Sequence, residues 1–167
     1  MTLRAGVLTV SDKGFRGNRE DQSGPEIIKI LEGMGISVAH KRIVPDEKDL
    51  IAEALREYAD TRKLDLIITT GGTGVSPRDV TPDATLQVIE REVPGMAEAM
   101  RRGSAAITPH AMISRAVTGI RGLSLIINLP GSPKGVRENL AIILPALKHA
   151  VEKIRGDESD CASSPLA

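Results

Sequence analysis

The sequence has 167 residues, of which 41% are hydrophobic, a length and composition that suit one globular domain with its own core. Its 22 basic and 22 acidic residues cancel, and it has one Phe, one Tyr and no Trp, which argues against nucleic acid, acidic membranes and stacked bases as partners. No apolar run approaches the ~20 residues of a membrane span and no signal-peptide pattern opens the sequence, which predicts a cytoplasmic protein.

Apolar runs alternate with segments whose apolar residues recur at helical spacing. This alternation predicts a three-layer α/β sandwich with a mainly parallel central sheet. We place a single domain at residues 1–155 and expect the small and polar residues of 156–167 to form a flexible C-terminal tail. The first half of the sequence is predicted to form a strand over 3–10, a polar loop over 11–24, a helix over 25–33, a strand over 36–44, a helix that ends near 58 and a strand over 64–70. The second half is predicted to form helices over 82–91 and from about 95 to 106, a connector or short helix over 108–114, strands over 115–120 and 123–128, and a helix over 133–154. Pro145 should kink or split this last helix.

Polar or Gly- and Pro-rich segments follow four of the predicted strands. In open α/β sheets, ligands bind outside the C-terminal ends of the strands, near the point where the strand order reverses. We therefore expect these four segments to meet at one edge of the sheet. They are Ser11-Asp12, Pro45-Asp46, the segment from Gly71 to Asp79, and the segment from Asn128 to Gly135.

The segment that follows the third strand has three glycines in four residues, in the run Gly71-Gly72-Thr73-Gly74. A backbone without Cβ atoms turns sharply and lets a ligand approach its N–H groups. Arg78 adds a cation, Asp79 adds a carboxylate, and Thr81 with Pro82 has the pattern of a helix N-cap and first helical position. These features predict a phosphate site, and the alternative is an ordinary turn between a strand and a helix.

The residue types at the predicted strand ends favour phosphate chemistry with a divalent cation. The sequence has no P-loop pattern, no Gly-x-Gly-x-x-Gly and no Gly-x-Ser-x-Gly, and its three histidines are not at metal-ligand spacing. Phosphates placed beside Asp46 and Asp79 would repel these side chains unless a cation lay between them, so we expect Mg²⁺ with oxygen ligands. For Asp46 the alternative is a carboxylate that only caps the following helix.

Short segments spread over about residues 3–155 form a combined pattern that is far more specific than any one of them. They are Val10-Ser11-Asp12, Asp21-x-Ser23-Gly24, Val44-Pro45-Asp46, the run from Thr69 to Gly74, the run from Arg78 to Ala84, Pro94-Gly95, Ser114-Arg115-Ala116, Gly119-Ile120-Arg121 and the run from Asn128 to Pro133. This pattern resembles the molybdopterin-binding domain family and, within it, the molybdopterin adenylyltransferases of molybdenum cofactor biosynthesis.

The resemblance implies a reaction and a set of partners. The terminal phosphate of molybdopterin would attack the α-phosphate of ATP, giving adenylylated molybdopterin and pyrophosphate. The protein would be a homotrimer that uses Mg²⁺ and hands its product to a metal-insertion enzyme. Neither nucleic acid nor a membrane would take part.

The resemblance also assigns roles to residues. Asp46 and Asp79 would be catalytic, and we expect the same two carboxylates to hold Mg²⁺. The pterin-binding residues would be Ser104, Ser114, Arg78 and Thr81. The residues that bind the nucleotide and its phosphates would be Ser11, Asp12, Gly71, Gly72, Thr73, Gly74, Pro130, Gly131 and Ser132.

Two other functions suit the same sequence. A non-catalytic pterin-binding or carrier module would need the pterin residues and the glycine-rich run from Gly71 to Gly74 but not two aspartates. A generic nucleotide or sugar-phosphate binder would need only the sheet topology. The presence of Asp46 and Asp79 as a pair favours the enzyme.

Overall fold

The computed structural model of the protein describes residues 2–157 and contains a six-stranded mixed sheet with helices on both faces. A π-helical turn, Glu57–Thr61, extends the third helix, and a 3-10 helix, Pro109–Ile113, follows the fifth. The elements in chain order are β1 (Arg4–Val10), α1 (Asp12–Phe15), α2 (Ser23–Gly33), β2 (Ser37–Val44), α3 (Lys48–Arg56), β3 (Leu66–Thr70), α4 (Thr81–Val88), β4 (Arg91–Glu92), α5 (Pro94–Ala105), β5 (Thr118–Arg121), β6 (Ser124–Leu129) and α6 (Pro133–Ile154).

The strand order of the sheet is β2-β1-β3-β6-β5-β4. The first four strands in this order are parallel; β5 then pairs antiparallel with β6, and the edge strand β4 pairs antiparallel with β5. The predicted α/β sandwich with a mainly parallel sheet is therefore confirmed. The chain runs outward from β1 to β2 and then crosses back to β3, so the order reverses between β1 and β3. The loops after these two strands flank the crevice where such sheets bind ligands.

Two apolar layers fill the space between the sheet and its helices. Leu66 and Ile68 of β3 pack with α2, α5 and α6 on one face, whereas Ile67 packs with α3 and α4 on the other. Every residue of β3 is buried, which explains why this strand is a continuous apolar run in the sequence.

Several local features differ from the predictions. The polar loop after β1 contains the short helix α1, and α2 begins at Ser23, two residues before Pro25. The antiparallel edge strand β4 was not predicted because two exposed residues carry no periodic signal. Pro145 does not split α6. It lies on the exposed face of that helix, so water can reach the carbonyl group that it leaves without a partner.

The structure covers only the start of the predicted C-terminal tail. Gly156 and Asp157 belong to the described residues, and 158–167 lie outside them. Within residues 2–157, no helix has the length and apolar character that crossing a membrane requires.

Candidate active site

The glycine loop, residues 71–74, leaves the C-terminal end of β3 in a conformation that requires glycine. Gly71 has φ +99° and Gly72 has φ +64°, in the region that L side chains rarely adopt. A Cβ atom on Gly71 would collide with the backbone carbonyl oxygen of Val10 in β1, and one on Gly72 would lie 2.5 Å from the hydroxyl oxygen of Thr81. The loop can therefore turn tightly against β1 only because these side chains are absent.

Thr81 binds the glycine loop through two hydrogen bonds to its backbone. Its hydroxyl donates to the carbonyl oxygen of Gly71 at 2.9 Å, and its backbone N–H donates to that of Gly72 at 3.1 Å. The predicted N-cap role of Thr81 is wrong, since α4 begins at Thr81 and Val80 holds the N-cap position without a capping hydrogen bond. Thr81 is 0% exposed, and the prediction that it contacts the pterin stays a prediction.

A buried network of hydrogen bonds continues from Thr81 into the sheet. The hydroxyl of Thr85 donates to the carbonyl oxygen of Thr81 at 2.9 Å, and the side-chain amide of Asn128 donates to the hydroxyls of Thr85 and Thr69 at 2.9 and 3.0 Å. Satisfied buried polar groups of this kind fix one geometry. The network therefore ties the glycine loop to β3, β6 and α4.

Three consecutive amides of the loop have no acceptor. The N–H of Gly71 donates to the carbonyl oxygen of Leu129 at 3.1 Å, whereas those of Gly72, Thr73 and Gly74 make no hydrogen bond among residues 2–157. Successive free backbone N–H groups in a turn form a concave binding site for anions. The loop can thus donate to phosphate oxygens.

The two predicted catalytic carboxylates lie beside this loop. Oδ1 of Asp46 is 3.1 Å from the position that a Cβ on Gly72 would take, and Oδ2 of Asp79 is 2.8 Å from the corresponding position on Gly74. Residues two apart in a chain are separated by at most about 7 Å, so both carboxylates flank one short stretch of backbone. Asp79 is fixed by its own turn, because its Oδ2 accepts from the N–H of Ser76 at 2.9 Å.

Asp46 does not cap the helix that follows it. Its Oδ2 accepts from the backbone N–H of Asp12 at 2.8 Å, while Glu47 holds the N-cap position of α3 without a side-chain capping bond. The alternative of a mere capping carboxylate is therefore wrong. Asp46 is oriented by the loop after β1, and it faces the glycine loop instead of the helix.

The charges around Asp12 and Asp46 shift their pKa values in opposite directions. Burial raises the pKa of the Asp46 carboxyl, and the negative charges of Asp12 and Asp79 raise it further. Hydrogen bonds from the guanidinium of Arg78 lower the pKa of Asp12. These bonds run from Nε to Oδ2 at 3.1 Å and from Nη2 to Oδ1 at 3.0 Å, and Nη2 also donates to Glu47 at 2.9 Å. The guanidinium of Arg78 is thus engaged by two carboxylates.

Two cavities meet at the glycine loop. The first has a volume of about 430 Å³ and lies between the ends of β1 and β3, and the second has about 370 Å³ and lies between the loop, α5 and α6. Gly72 lines the first cavity, Thr73 and Gly74 line the second, and Ser132 lines both. The loop and Ser132 therefore form a shared wall.

The predicted site residues divide between these cavities. Four of them, Asp12, Arg78, Asp79 and Thr81, line neither cavity, and Asp12 and Arg78 pair with each other. The first cavity has, from the predicted set, Ser11, Asp46, Gly71, Gly72, Gly131 and Ser132. The second has Thr73, Gly74, Ser104, Ser114, Pro130 and Ser132. The predicted nucleotide-binding residues are thus divided between the two cavities, because Thr73, Gly74 and Pro130 line the second cavity together with the predicted pterin-binding residues Ser104 and Ser114.

Other residues at these cavities were missed by sequence reasoning. Arg19 is the one cation among the residues that line the first cavity, and Lys134 and Asn139 line the second. The unusual length of the polar loop after β1 was a signal for Arg19, because long ordered loops are often functional. Lys134 lies in the segment 128–135 that was expected at this edge but was not singled out, and the helical position of Asn139 gave no signal.

The carboxylates suit a Mg²⁺ ion that shares its coordination with phosphates. Asp46 and Asp79 each have one oxygen bound to a backbone N–H and one without a hydrogen bond among residues 2–157. That part of the chain contains no group of three or more His, Cys, Asp or Glu side chains that could hold a metal. Magnesium is usually bound by one or two carboxylates together with water and substrate phosphates, which matches this donor set.

Known proteins are similar to this chain in sequence and in fold. Residues 6–149 match the family model described as probable molybdopterin binding domain. Molybdopterin adenylyltransferase of Helicobacter pylori strain J99 is 44% identical over 158 residues, which cover 93% of this chain and 90% of that protein. Gephyrin of Dictyostelium discoideum is 46% identical over 156 residues, which cover 87% of this chain but only 22% of gephyrin.

A solved structure of a bacterial protein is also similar to this chain. The molybdopterin biosynthesis enzyme MoaB from Thermus thermophilus is 52% identical and superimposes with a TM-score of 0.88, over 93% of this chain and 98% of that one. The family model covers most of the chain, and the similarity extends over at least 90% of the two bacterial proteins named above. The chain therefore belongs to the molybdopterin-binding domain family.

Proposed function

We propose that this protein transfers the adenylyl group of ATP to the terminal phosphate of molybdopterin, in molybdenum cofactor biosynthesis. The observation that carries this proposal is the position of two carboxylates beside a loop that has three free amides and borders two cavities. The relatives named molybdopterin adenylyltransferase support it.

Each cavity takes one substrate. ATP occupies the first cavity, beside Ser11, Gly71 and Gly72, and the pterin occupies the second, beside Ser104 and Ser114. Because the glycine loop borders both, the α-phosphate of ATP and the terminal phosphate of molybdopterin meet above it. Holding two reactants in this way removes much of the entropic barrier to their reaction.

The transfer forms one phosphorus–oxygen bond and breaks another. An oxygen of the molybdopterin phosphate attacks the α-phosphorus of ATP, and the bond from that phosphorus to the bridging oxygen breaks, so that pyrophosphate leaves with the electron pair. The amides of Gly72, Thr73 and Gly74 donate to phosphate oxygens as negative charge shifts among them. Asp46 and Asp79 hold Mg²⁺, which neutralises phosphate charge when it is bound.

The setting of the reaction belongs to the same proposal. The protein acts as a homotrimer in the cytoplasm and passes adenylylated molybdopterin to a metal-insertion enzyme. These three features are supported by the resemblance of the sequence to the adenylyltransferases.

One assay tests the proposed reaction. The purified protein is mixed with molybdopterin, ATP and Mg²⁺, and both pyrophosphate and adenylylated pterin are measured. We expect the two products in equal amounts, and neither when ATP is replaced by α,β-methylene-ATP, whose bridging carbon prevents cleavage. A protein that binds molybdopterin but releases no pyrophosphate from ATP would be a carrier, and the proposal would be wrong.

A further inference from the structure

Arg115 makes contacts at both ends of the segment that carries Asp79. Its backbone N–H donates to the carbonyl oxygen of Thr73 at 2.8 Å. Its guanidinium donates from Nη1 to the carbonyl oxygen of Asp79 at 3.2 Å and from Nη2 to Oδ2 of Asp83 at 2.5 Å. We call these contacts to Thr73, Asp79 and Asp83 the Arg115 clamp.

The segment between the two ends has few other attachments. Residues 75–78 are exposed, and Val75 is 62% exposed. The turn is closed by its own hydrogen bonds, from the N–H of Asp79 to the carbonyl oxygen of Ser76 and from the N–H of Ser76 to the carboxylate of Asp79, both at 2.9 Å. These bonds fix the shape of the turn but not its position relative to the glycine loop. Thr81, two residues after Asp79, is bonded to the carbonyl oxygens of Gly71 and Gly72. Between Gly74 and Thr81, the position of the segment depends on the Arg115 clamp on one side and on the ion pairs of Arg78 on the other.

The clamp contributes more to geometry than to stability. The side chains of Arg115 and Asp83 are 39% and 41% exposed, and ion pairs at such sites usually contribute about 0–1 kcal/mol. A guanidinium, however, is a planar fork that holds two partners at fixed angles, which a lysine ammonium cannot do. The backbone carbonyl of the catalytic aspartate and the first turn of α4 are thereby kept in one arrangement.

We propose that Arg115 is a positioning residue that fixes the carboxylate of Asp79 against the glycine loop. This role rests on the proposed adenylyl transfer, in which Asp79 is catalytic. Arg115 acts through the backbone of Asp79 and does not touch the reacting phosphates. Its removal therefore lowers the rate of transfer and leaves the affinity for both substrates in place.

The chain offers a matched control for a substitution of Arg115. Arg121 also joins one carboxylate and one backbone carbonyl, since its guanidinium donates to Asp60 at 2.6 Å and to the carbonyl oxygen of Val88 at 2.9 Å. Neither cavity is lined by Arg121 or its partners. Arg121→Lys therefore reports what the loss of such a fork does to the fold alone.

The first test measures kcat and KM for both substrates. We expect Arg115→Lys to lower kcat about tenfold with each KM changed less than about twofold, because a small displacement of a catalytic group slows the reaction without weakening binding. Asp83→Asn should lower kcat as well, and the double variant should lose less than the product of the two single effects. Arg121→Lys should keep the wild-type kcat. A raised KM for molybdopterin with unchanged kcat would make Arg115 a substrate-binding residue, and an unchanged kcat and KM would leave it without a role; either result overturns the proposal.

The second test does not depend on activity. Hydrogen–deuterium exchange followed by mass spectrometry should show greater deuterium uptake in peptides that cover residues 73–79 in Arg115→Lys, but not in Arg121→Lys. If the wild-type protein forms no adenylylated molybdopterin, the proposed function fails while this measurement still decides whether the clamp fixes the segment. Equal uptake in wild type and Arg115→Lys would overturn the positioning role even in an active enzyme.

Discussion

Asp12 and Asp46 bind each other through two reciprocal hydrogen bonds. The N–H of Asp12 donates to Oδ2 of Asp46 at 2.8 Å, and the N–H of Asp46 donates to Oδ1 of Asp12 at 3.0 Å, across 34 residues of sequence. These bonds join the ends of β1 and β2 at the edge of the sheet where the cavities lie. They leave Oδ1 of Asp46 directed at the glycine loop, so Asp12 determines the position of this carboxylate, which we propose is catalytic.

This pairing predicts that Asp12 acts on turnover. Asp12→Ala removes the acceptor for the N–H of Asp46 and releases Arg78, so kcat should fall about tenfold while the KM for ATP stays unchanged. Asp49→Ala is the control, because Asp49 is an exposed carboxylate on α3 with no hydrogen bond or ion pair among residues 2–157. Steady-state kinetics with varied ATP concentration give kcat and the KM for ATP of both variants. A raised KM for ATP with normal kcat would instead support direct contact of Asp12 with the nucleotide, as the sequence alone suggested.

The raised pKa of Asp46 predicts a stability that depends on pH. Burial favours the protonated carboxyl, so the ionised form lowers the free energy of unfolding at pH 7. Asp46→Asn keeps an oxygen that can accept from Asp12 but carries no charge, and it should raise the Tm at pH 7. The difference should shrink as the pH falls through the pKa of Asp46 in the folded protein, because the wild-type residue then becomes neutral too. Thermal unfolding without Mg²⁺ at several pH values measures this, and a Tm below wild type at pH 7 would contradict it.

The shape of the glycine loop predicts that Gly71 cannot be replaced. Its φ of +99° and the carbonyl oxygen of Val10 leave no room for a Cβ atom, so Gly71→Ala should lower the free energy of unfolding by at least about 2 kcal/mol. Gly33→Ala is the control, since Gly33 lies in α2 with no atom within 4 Å of an added Cβ. Alanine there should be neutral or stabilise by about 0.5 kcal/mol. Urea unfolding compares the two, and equal stabilities would show that the loop tolerates a side chain.

Arg19 should contribute to nucleotide binding. It lines the first cavity together with the carboxylates of Glu20, Asp21 and Asp46, and it makes no ion pair among residues 2–157. ATP brings several negative charges to this acidic cavity, so Arg19→Ala should raise the KM for ATP about fivefold, within the range for a charged hydrogen bond, without changing the KM for molybdopterin. Arg16→Ala removes an exposed arginine of the same loop that does not line the cavity and should behave as wild type. Equal effects of both substitutions would reduce the role of Arg19 to general electrostatic attraction.

The sequence could predict the place of the site because that place follows from topology. The carboxyl ends of parallel strands lie at the same edge of a sheet. Once the strands over 3–10, 36–44 and 64–70 were identified, Asp46 and the glycine loop were therefore expected to lie near each other. The glycines were equally informative, because the positive φ of Gly71 and Gly72 favours glycine over every other residue, and glycines are visible in the sequence.

The contacts within the site could not be predicted in this way. A threonine followed by proline is typical of a helix N-cap, and only the fold shows that the hydroxyl of Thr81 instead donates to Gly71 within the core. Arg78 lies 66 residues from Asp12, and no local pattern indicates that the two side chains pair. Such long-range pairs depend on the exact loop conformations, which the hydrophobic pattern does not specify.

The most direct measurement is the single-turnover rate of adenylyl transfer from ATP to molybdopterin in wild type, Asp46→Asn and Asp79→Asn, with the Kd for molybdopterin determined on the same preparations. We predict that each substitution lowers the rate at least about 100-fold and changes the Kd less than about twofold, because each removes a charge that acts on the phosphates and little shape. Transfer at the wild-type rate by either variant would contradict the assignment of these two carboxylates to the reaction.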